Sequence, residues 1–390
     1  MTEPRTCPSC GAPAPGESNF CEECGTALSA EVLVSGAPTA PPAVAAGESS
    51  PIEDLGSGPI SSATSNHSAA AVQESAAPVA CASCGGAIGP DGYCEQCGLK
   101  ALSPRDHFRE QPSPWVAGVC DKGIRHHRNE DAMAMSASPD GSAADRRAVL
   151  VVLDGVSNTD DSQVGSLAGA KAALAVLAVP FPDGLGTDDS RLAAVTHVLT
   201  NAVKAAQAEV VAAATPEAAN PASATFSTAV LEGDVVSFAN VGDSRSYWLP
   251  DDSPGVQLSV DDSAAQGMIA AGTPRAEAES SPQAHAITKW LGKDSEDHTP
   301  MVGQLRITEP GWLLVCSDGL WNYASEPAQL VEQMRAAGTD DPAALALALT
   351  DYANGQGGQD NITTVLARVP GPVLVQNADQ TTTQKEQPHG

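Results

Sequence analysis

The chain has 390 residues, enough for two or three domains, and its 20 Lys and Arg residues against 48 Asp and Glu residues give a formal charge of -28. This charge disfavours nucleic acid and anionic membranes as partners, since both bind to cationic surfaces. No apolar run reaches the roughly 18 residues that cross a bilayer, and the N-terminus has no apolar signal-peptide region. We therefore expect a soluble cytoplasmic protein.

Paired cysteines near the N-terminus predict two small zinc-binding segments. In each pair two residues separate the cysteines and a glycine follows. The pairs are Cys7 with Cys10, Cys21 with Cys24, Cys81 with Cys84, and Cys94 with Cys97. Two such turns suit one tetrahedral zinc ion, which would supply the folding free energy that so short a segment lacks. A redox-active Cys-x-x-Cys is the alternative. Zinc ribbons are expected at 1–28 and 80–99, with two structural Zn²⁺ ions, and they resemble the double zinc ribbon family.

Composition marks the segments around the ribbons as linkers. Ala, Pro, Ser and Gly dominate residues 29–79, which is typical of a flexible, disordered linker. A shorter linker is expected at 100–112, and a disordered polar tail at 370–390. Residues 113–369 remain for one globular domain. The ribbons lack basic loops, so we expect them to recognise protein rather than nucleic acid.

The hydrophobic pattern of residues 113–369 predicts both strands and helices. The expected elements are, in chain order, a buried strand at 148–153, helices at 165–177 and 191–214, strands at 223–231, 235–241 and 244–249 with a hairpin turn at 232–234, and buried strands at 312–317 and 361–366. Alternating βαβ units are not evident. The order favours an α+β fold in which two sheets pack together with helices outside.

Acidic residues stand at the ends of the apolar strands. Asp154 and Asp318 directly follow such runs, Asp360 directly precedes one, and Asn129-Glu130-Asp131 forms a further acidic cluster. Carboxylates at buried strand ends are costly, and they repel one another unless cations lie between them. Hard oxygen ligands suit Mg²⁺ or Mn²⁺. Turn formation or helix capping is the alternative role of such residues.

Five motifs, at 121–131, 154–156, 241–245, 317–321 and 359–363, together resemble the protein phosphatase type 2C family of metal-dependent serine/threonine protein phosphatases. The resemblance implies a four-layer αββα sandwich. It also implies hydrolysis of phosphoserine and phosphothreonine in proteins by a metal-activated water, without a protein nucleophile.

The resemblance also implies which residues hold two Mn²⁺ or Mg²⁺ ions. Asp154 would bridge them, and Gly155 would give its carbonyl oxygen to one. Asp318 and Asp360 would hold the other ion. These residues are therefore the expected centre of the catalytic site.

Further roles follow from the same resemblance. Glu130 and Asp131 would act mainly through metal-bound waters, and Asp243 would hold a third, weaker metal ion. The family usually has an arginine where this chain has His126, and that arginine grips the substrate phosphate. Imidazole cannot form a bidentate fork to phosphate. Arg128 would share the face of His126 on an extended strand and could substitute.

The resemblance implies phosphoprotein substrates and a role opposing a Ser/Thr kinase. Two other interpretations stay open. One is a catalytically weak, phosphatase-like scaffold that binds phosphoproteins or regulators through the ribbons. The other is a nucleic-acid-binding zinc-ribbon protein, which the charge disfavours.

Overall fold

The structure, a computed structural model, describes residues 84–90, 92–98, 101, 103–141, 145–157, 159–215 and 217–372, together with short strands at 5–6, 13–14 and 32–34. The chain divides into two units, one of Met1–Ser35 with Pro104–Gly390 and the other of Gly36–Ser103. Five predicted zinc ligands (Cys7, Cys10, Cys21, Cys24 and Cys81) lie outside the described residues. The tail beyond residue 372 and the linker predicted at 29–79, apart from residues 32–34, also lie outside the described residues.

The strands are β1 Arg5–Thr6, β2 Pro13–Ala14, β3 Val32–Val34, β4 His107–Ser113, β5 Val116–Asp121, β6 Ala132–Ala137, β7 Arg147–Leu153, β8 Ser223–Ala224, β9 Phe226–Glu232, β10 Val235–Val241, β11 Arg245–Pro250, β12 Val256–Gln257, β13 Leu291–Gly292, β14 Met301–Arg306, β15 Gly311–Cys316 and β16 Ile362–Val369. The helices are α1 Ser162–Leu177, α2 Asp188–Ala213, α3 Ala264–Ala270, α4 Arg275–Glu279, α5 Asp318–Trp321, α6 Pro327–Ala337 and α7 Pro342–Gly355.

Two six-stranded antiparallel sheets form the centre of the domain. The first has the order β3-β14-β10-β9-β7-β6, and the second has the order β12-β11-β15-β16-β5-β4. The predicted hairpin joins β9 to β10, with Glu232 paired to Val235 and Gly233 at a positive φ of 60°. Glycine takes this left-handed conformation without the steric cost that a Cβ brings.

The sheets pack face to face and each carries helices on its outer side. Met133, Leu150 and Phe238 of the first sheet meet Leu313 and Val365 of the second in one buried cluster. A second cluster joins α1 and α2 to the first sheet, and a third joins α6 and α7 to the second. The strands inside the two sheets bury both faces, so they appear in the sequence as continuous apolar runs rather than as alternating patterns; these strands are β5, β7, β9, β10, β11, β15 and β16. The predicted four-layer αββα sandwich is confirmed.

The helix and strand boundaries differ from the predicted ones at several places. Strand β4 lies within the predicted linker at 100–112. Its residues are mostly exposed and polar, so no apolar pattern marks it, and backbone pairing with β5 holds it at the sheet edge. Strand β3, inside the predicted linker at 29–79, pairs with β14. The strand predicted at 223–231 is divided at Thr225. Among the described residues, no helix is long and apolar enough to cross a membrane.

Candidate active site

The acidic residues converge because the strands that carry them end at one edge of the sandwich. In the first sheet the end of β7 is paired with the start of β6, which places Asp154 beside Asp131. In the second sheet the end of β15 lies near the start of β16, so that Asp318 is near Asp360. Asp243 follows the end of β10, which pairs with the start of β9. The five carboxylates therefore come from both sheets.

Their electrostatics show how close these groups are. The pKa of Asp154 is raised well above its usual value, first by burial and then by the charges of Asp131, Asp318, Asp360 and Asp243. The pKa of Asp318 is also well raised, by burial and then by the charges of Asp360, Asp243 and Asp131. Both residues keep some exposed surface, so the cluster is open to solvent. Within the described part of the chain, Asp131, Asp154, Asp243 and Asp318 form no salt bridge with Lys or Arg.

Asp131 is the most deeply placed member of the cluster. Its Oδ2 accepts hydrogen bonds from the hydroxyls of Ser317 and Thr363, both at 2.7 Å. Burial raises its pKa to about 7, although these two hydroxyls oppose the shift. Its Oδ1 and the Oδ1 of Asp318 are buried and have no hydrogen-bond partner among the described residues. Buried carboxylate oxygens without partners, in a repelling cluster, are what a divalent cation would satisfy.

Glu130 is buried and is held by its neighbours in the site. Arg128 donates to Oε1 of Glu130 from Nε at 3.0 Å and from Nη2 at 2.7 Å. Ser162 Oγ donates to the same oxygen at 2.7 Å. Arg128 Nη2 also donates to the carbonyl oxygen of Thr159 at 3.0 Å. The guanidinium of Arg128 therefore orients Glu130, a contact that motif matching did not predict.

His126 lies among the carboxylates. Its Nε2 is 3.2 Å from Oδ1 of Asp360, and its Nδ1 is 3.7 Å from Oε2 of Glu130. Burial raises the pKa of Asp360, which the charge of His126 opposes. The imidazole is thus next to the proposed metal ligands, where the family usually has an arginine.

Asn361 joins the two acidic segments. Its Oδ1 accepts from the backbone N–H of Glu130 at 2.7 Å, and its Nδ2 donates to the carbonyl oxygens of Lys122 and Arg128 at 2.8 and 3.1 Å. The backbone N–H of Asn361 donates to Asp360 Oδ1 at 2.8 Å. This single amide therefore sets the position of Asp360 relative to Glu130.

A buried network of contacts around Arg245 reaches the backbone of Asp243 through Trp321. Arg245 pairs with Asp261 at 2.7 Å and with Glu279 at 3.0 Å, and it lies 3.6 Å from the centre of the Trp321 ring. The indole N–H of Trp321 donates to the carbonyl oxygen of Asp243 at 2.8 Å. Sequence reasoning missed Asp261 and Glu279, because neither lies in an apolar run or a recognised motif.

The described cysteines of this domain are not nucleophiles. Cys120 and Cys316 are fully buried in the strands, and burial raises the pKa of each thiol far above its usual value. A nucleophilic cysteine needs a lowered pKa and access to substrate. Among the described residues of this domain, the carboxylate cluster is therefore the candidate for the chemistry of the site.

The second predicted ribbon brings three cysteines together. The sulfur atoms of Cys84, Cys94 and Cys97 lie within 4.8 Å of one another. Backbone N–H groups of Cys97 and Gln96 lower the pKa of Cys94 to about 6, which favours the thiolate. Thiolates at this separation suit a zinc ion.

Comparisons with known proteins match both the N-terminal segment and the globular domain. A family model described as protein phosphatase 2C matches residues 124–349, more than half of the chain. A double zinc ribbon model matches residues 7–98. The serine/threonine phosphatase stp of Listeria innocua is 27% identical over 252 residues, which cover 63% of this chain and 92% of that protein.

Solved structures share the fold. The serine/threonine phosphatase Stp1 of Staphylococcus aureus superposes with a TM-score of 0.54 at 23% identity, covering 66% of this chain and 95% of that one. The PPM Ser-Thr phosphatase MsPP of Mycobacterium smegmatis, in complex with cacodylate, gives 0.50 at 26% identity, covering 66% of this chain and 98% of that one. The chain is a protein phosphatase that belongs to the protein phosphatase 2C family, and it carries an N-terminal double zinc ribbon.

Proposed function

We propose that this chain hydrolyses phosphoserine and phosphothreonine in proteins with the help of Mn²⁺ or Mg²⁺ held by the carboxylate cluster. The observation that carries the proposal is the cluster itself. Within the described residues, four of its carboxylates have no Lys or Arg partner, and two of these have a buried oxygen without a hydrogen bond. The negative charges of these carboxylates repel one another, and bound divalent cations would offset that repulsion.

The donor set would hold two cations and a third, weaker one. Asp154 would lie between the two, Gly155 would contribute its carbonyl oxygen, and Asp318 with Asp360 would complete the second position. Asp243 would serve the third position. When bound, such cations activate water and neutralise charge on the phosphoryl oxygens.

The remaining residues of the site position these ligands. Ser317 and Thr363 hold Asp131, and Arg128 with Ser162 holds Glu130, in orientations suited to water-mediated contact. His126 lies beside Asp360, and its imidazole would donate one hydrogen bond to a substrate phosphate bound there. Two nitrogens of Arg128 already donate to Glu130. Arg128 would therefore orient that carboxylate rather than bind the substrate phosphate.

We further propose that the protein acts in the cytoplasm against a Ser/Thr kinase, with the ribbons recruiting a protein partner. Clustered thiolates with a lowered pKa at Cys94 suit a reducing compartment, where cysteines bind zinc rather than form disulfides. The alternative of a catalytically weak scaffold is not favoured, because the relatives of this chain include a serine/threonine phosphatase and the chain has the carboxylate cluster.

A metal-dependence assay tests the proposal. Metal-free full-length protein would be assayed on a phosphothreonine peptide after addition of Mn²⁺, Mg²⁺ or Zn²⁺ alone. We expect hydrolysis with Mn²⁺ or Mg²⁺ only, and none in the presence of a chelator. Hydrolysis that survives exhaustive chelation would contradict the proposal. Absence of hydrolysis with every cation, while the folded protein still binds the peptide, would favour the scaffold.

A further inference from the structure

The segment from Lys122 to Arg128, hereafter the basic rim, is unusual in this acidic chain. Three of the 20 Lys and Arg residues fall within these seven positions, together with His126 and His127, whereas the whole chain carries a charge of -28. A net charge of this size, concentrated further at the carboxylates, repels an approaching phosphoprotein. Cationic residues beside the site weaken that repulsion locally.

The basic rim is rigidly attached to the segment that carries Asp360. The backbone N–H groups of Ile124 and Arg125 both donate to the carbonyl oxygen of Gly358, at 2.8 and 3.1 Å. Gly123 has φ +72°, and a side chain there would collide with the carbonyl oxygen of Asp360. The backbones therefore pack directly against each other. The position of Arg125 relative to the site is set by these contacts.

The cations of the basic rim differ in what they do. The ammonium of Lys122 donates to the carbonyl oxygen of His126 at 3.1 Å, and the guanidinium of Arg128 binds Glu130. The side chain of Arg125 is exposed and has no salt bridge in the described part of the chain. It lies one residue before His126, whose ring touches Asp360. Among the described residues, Arg125 is thus an exposed cation without a salt bridge, next in the chain to a histidine of the site.

Its surroundings suit a peptide. Ile124, the preceding residue, is 61% exposed and offers an apolar contact. His127 is exposed and can donate a hydrogen bond. Asp360 itself lines a cleft of about 290 Å³, together with His285, Trp321 and Asn322 among others. Because the backbone of the basic rim packs against Gly358 and Asp360, residues that flank a phosphorylated residue at the carboxylates would come near it.

We propose that Arg125 selects substrates with an anionic group, a carboxylate or a second phosphate, close in sequence to the phosphorylated residue. The inference rests on the proposed phosphatase function and names its substrate class. Arg125 contacts the flanking group, not the phosphate that is hydrolysed. An exposed ion pair contributes modestly, so the preference for an anionic flank is about three- to fivefold in kcat/KM.

The test compares four phosphothreonine peptides that differ only in their flanks: neutral, glutamate, a second phosphothreonine and lysine. The full-length protein with Mn²⁺ is expected to prefer one or both anionic flanks, and the better of the two identifies the source of the charge. In Arg125→Ala the preference should disappear, and in Arg125→Glu the lysine-flanked peptide should become the better substrate. Raising the salt to about 0.5 M should weaken the wild-type preference, because exposed charges are screened.

Arg335→Ala is the matched control. Arg335 is also exposed, and it lines a separate cavity with Pro250 and Trp312, at the end of β15 opposite to Asp318. The Arg335→Ala substitution removes the same charge as Arg125→Ala, and this variant should keep the wild-type preference for anionic flanks. Loss of the preference in this variant would mean that net charge, not Arg125, decides it.

Two results would overturn the proposal without touching the phosphatase function. One is equal hydrolysis of all four peptides by the wild type. The other is that Arg125→Ala slows all peptides and a small phosphoester by the same factor, which would place Arg125 on the transferred phosphate. Failure of the phosphatase function itself would look different, since no peptide would be hydrolysed by the wild type with any cation.

Discussion

Arg128 binds Glu130 two residues along the chain, through two nitrogens that donate to one carboxylate oxygen, Oε1. The carboxylate of Glu130 is almost fully buried, whereas nearly half of the Arg128 side chain is exposed. Such a pair fixes the direction in which the second oxygen of Glu130 points. Because Glu130 borders the carboxylate cluster, its orientation affects whatever the cluster binds.

We therefore expect Arg128→Gln to weaken metal binding rather than peptide binding. Residues that orient metal-site groups typically change metal affinity by about 10- to 100-fold. The measurement is a titration of activity with Mn²⁺ at saturating phosphopeptide, followed by KM for the peptide at saturating Mn²⁺. Arg306→Ala, which breaks an exposed pair with Asp234, is the control. An increase in KM alone would instead identify Arg128 as a substrate contact.

Replacing Asp318 by Asn tests the centre of the cluster. We expect kcat/KM on a phosphothreonine peptide to fall by at least about 100-fold, as when an electrostatic stabiliser of the transition state is removed. The metal-free variant should melt no lower than the wild type, since the change relieves repulsion from Asp360 and Asp243. Near-normal turnover in Asp318→Asn would contradict the assignment of Asp318 as a metal ligand.

The metal-free protein should become more stable as the pH is lowered. The pKa of Asp131 and that of Asp243 are each raised to about 7, so the folded state holds protons that the unfolded state has lost. For a carboxyl with a raised folded pKa, the free energy of unfolding rises as pH falls from above that pKa toward the unfolded value near about 4.

Thermal melting of chelated protein between about pH 8 and about pH 5 would measure this dependence. In Asp131→Asn the increase should be smaller, because one of the two groups no longer titrates. Saturating Mn²⁺ should remove or reverse the trend, since metal ligands must be deprotonated. If the melting temperature of the metal-free protein does not change over this pH range, the pKa values of these carboxyls are not raised in the folded state.

His126→Arg should increase kcat/KM if the side chain at this position faces the phosphate. A charge-assisted bidentate contact contributes about 1.5–3 kcal/mol relative to no contact, and His126 already provides part of it. We expect a gain of several-fold, with a loss in His126→Ala, both measured at saturating Mn²⁺ on a neutral-flank phosphopeptide. If neither substitution changes kcat/KM, His126 acts on Asp360 and not on substrate.

Cys94→Ser should separate the ribbon from catalysis. The wild type should contain two Zn²⁺ ions per chain, and the variant should lose one of them, because Cys94 supplies a thiolate from the centre of the Cys84, Cys94 and Cys97 cluster. Metal content by mass spectrometry and turnover of a small phosphoester are the measurements. Turnover should stay near the wild-type value. A parallel loss of turnover in the folded variant would assign the ribbon a part in the catalytic site.

The amino-acid sequence by itself determined the class of fold and indicated which acidic residues form the candidate site. Apolar runs that end in Asp154 and Asp318, or begin after Asp360, mark both a buried strand and the place where its carboxylate emerges. That information is local, since it depends on neighbours within six residues. For the same reason the paired cysteines marked the ribbons without any knowledge of their surroundings.

Only the tertiary structure decided which groups hold those carboxylates. Ser317 and Thr363 reach Asp131 across separations of 186 and 232 residues, and no local pattern predicts such contacts. Strand β4 is likewise invisible in the sequence, because an exposed edge strand is held by backbone pairing that leaves its side chains free to be polar. The pairing of Arg128 with Glu130 likewise depends on where the packed fold buries Glu130, which the motif alone does not show.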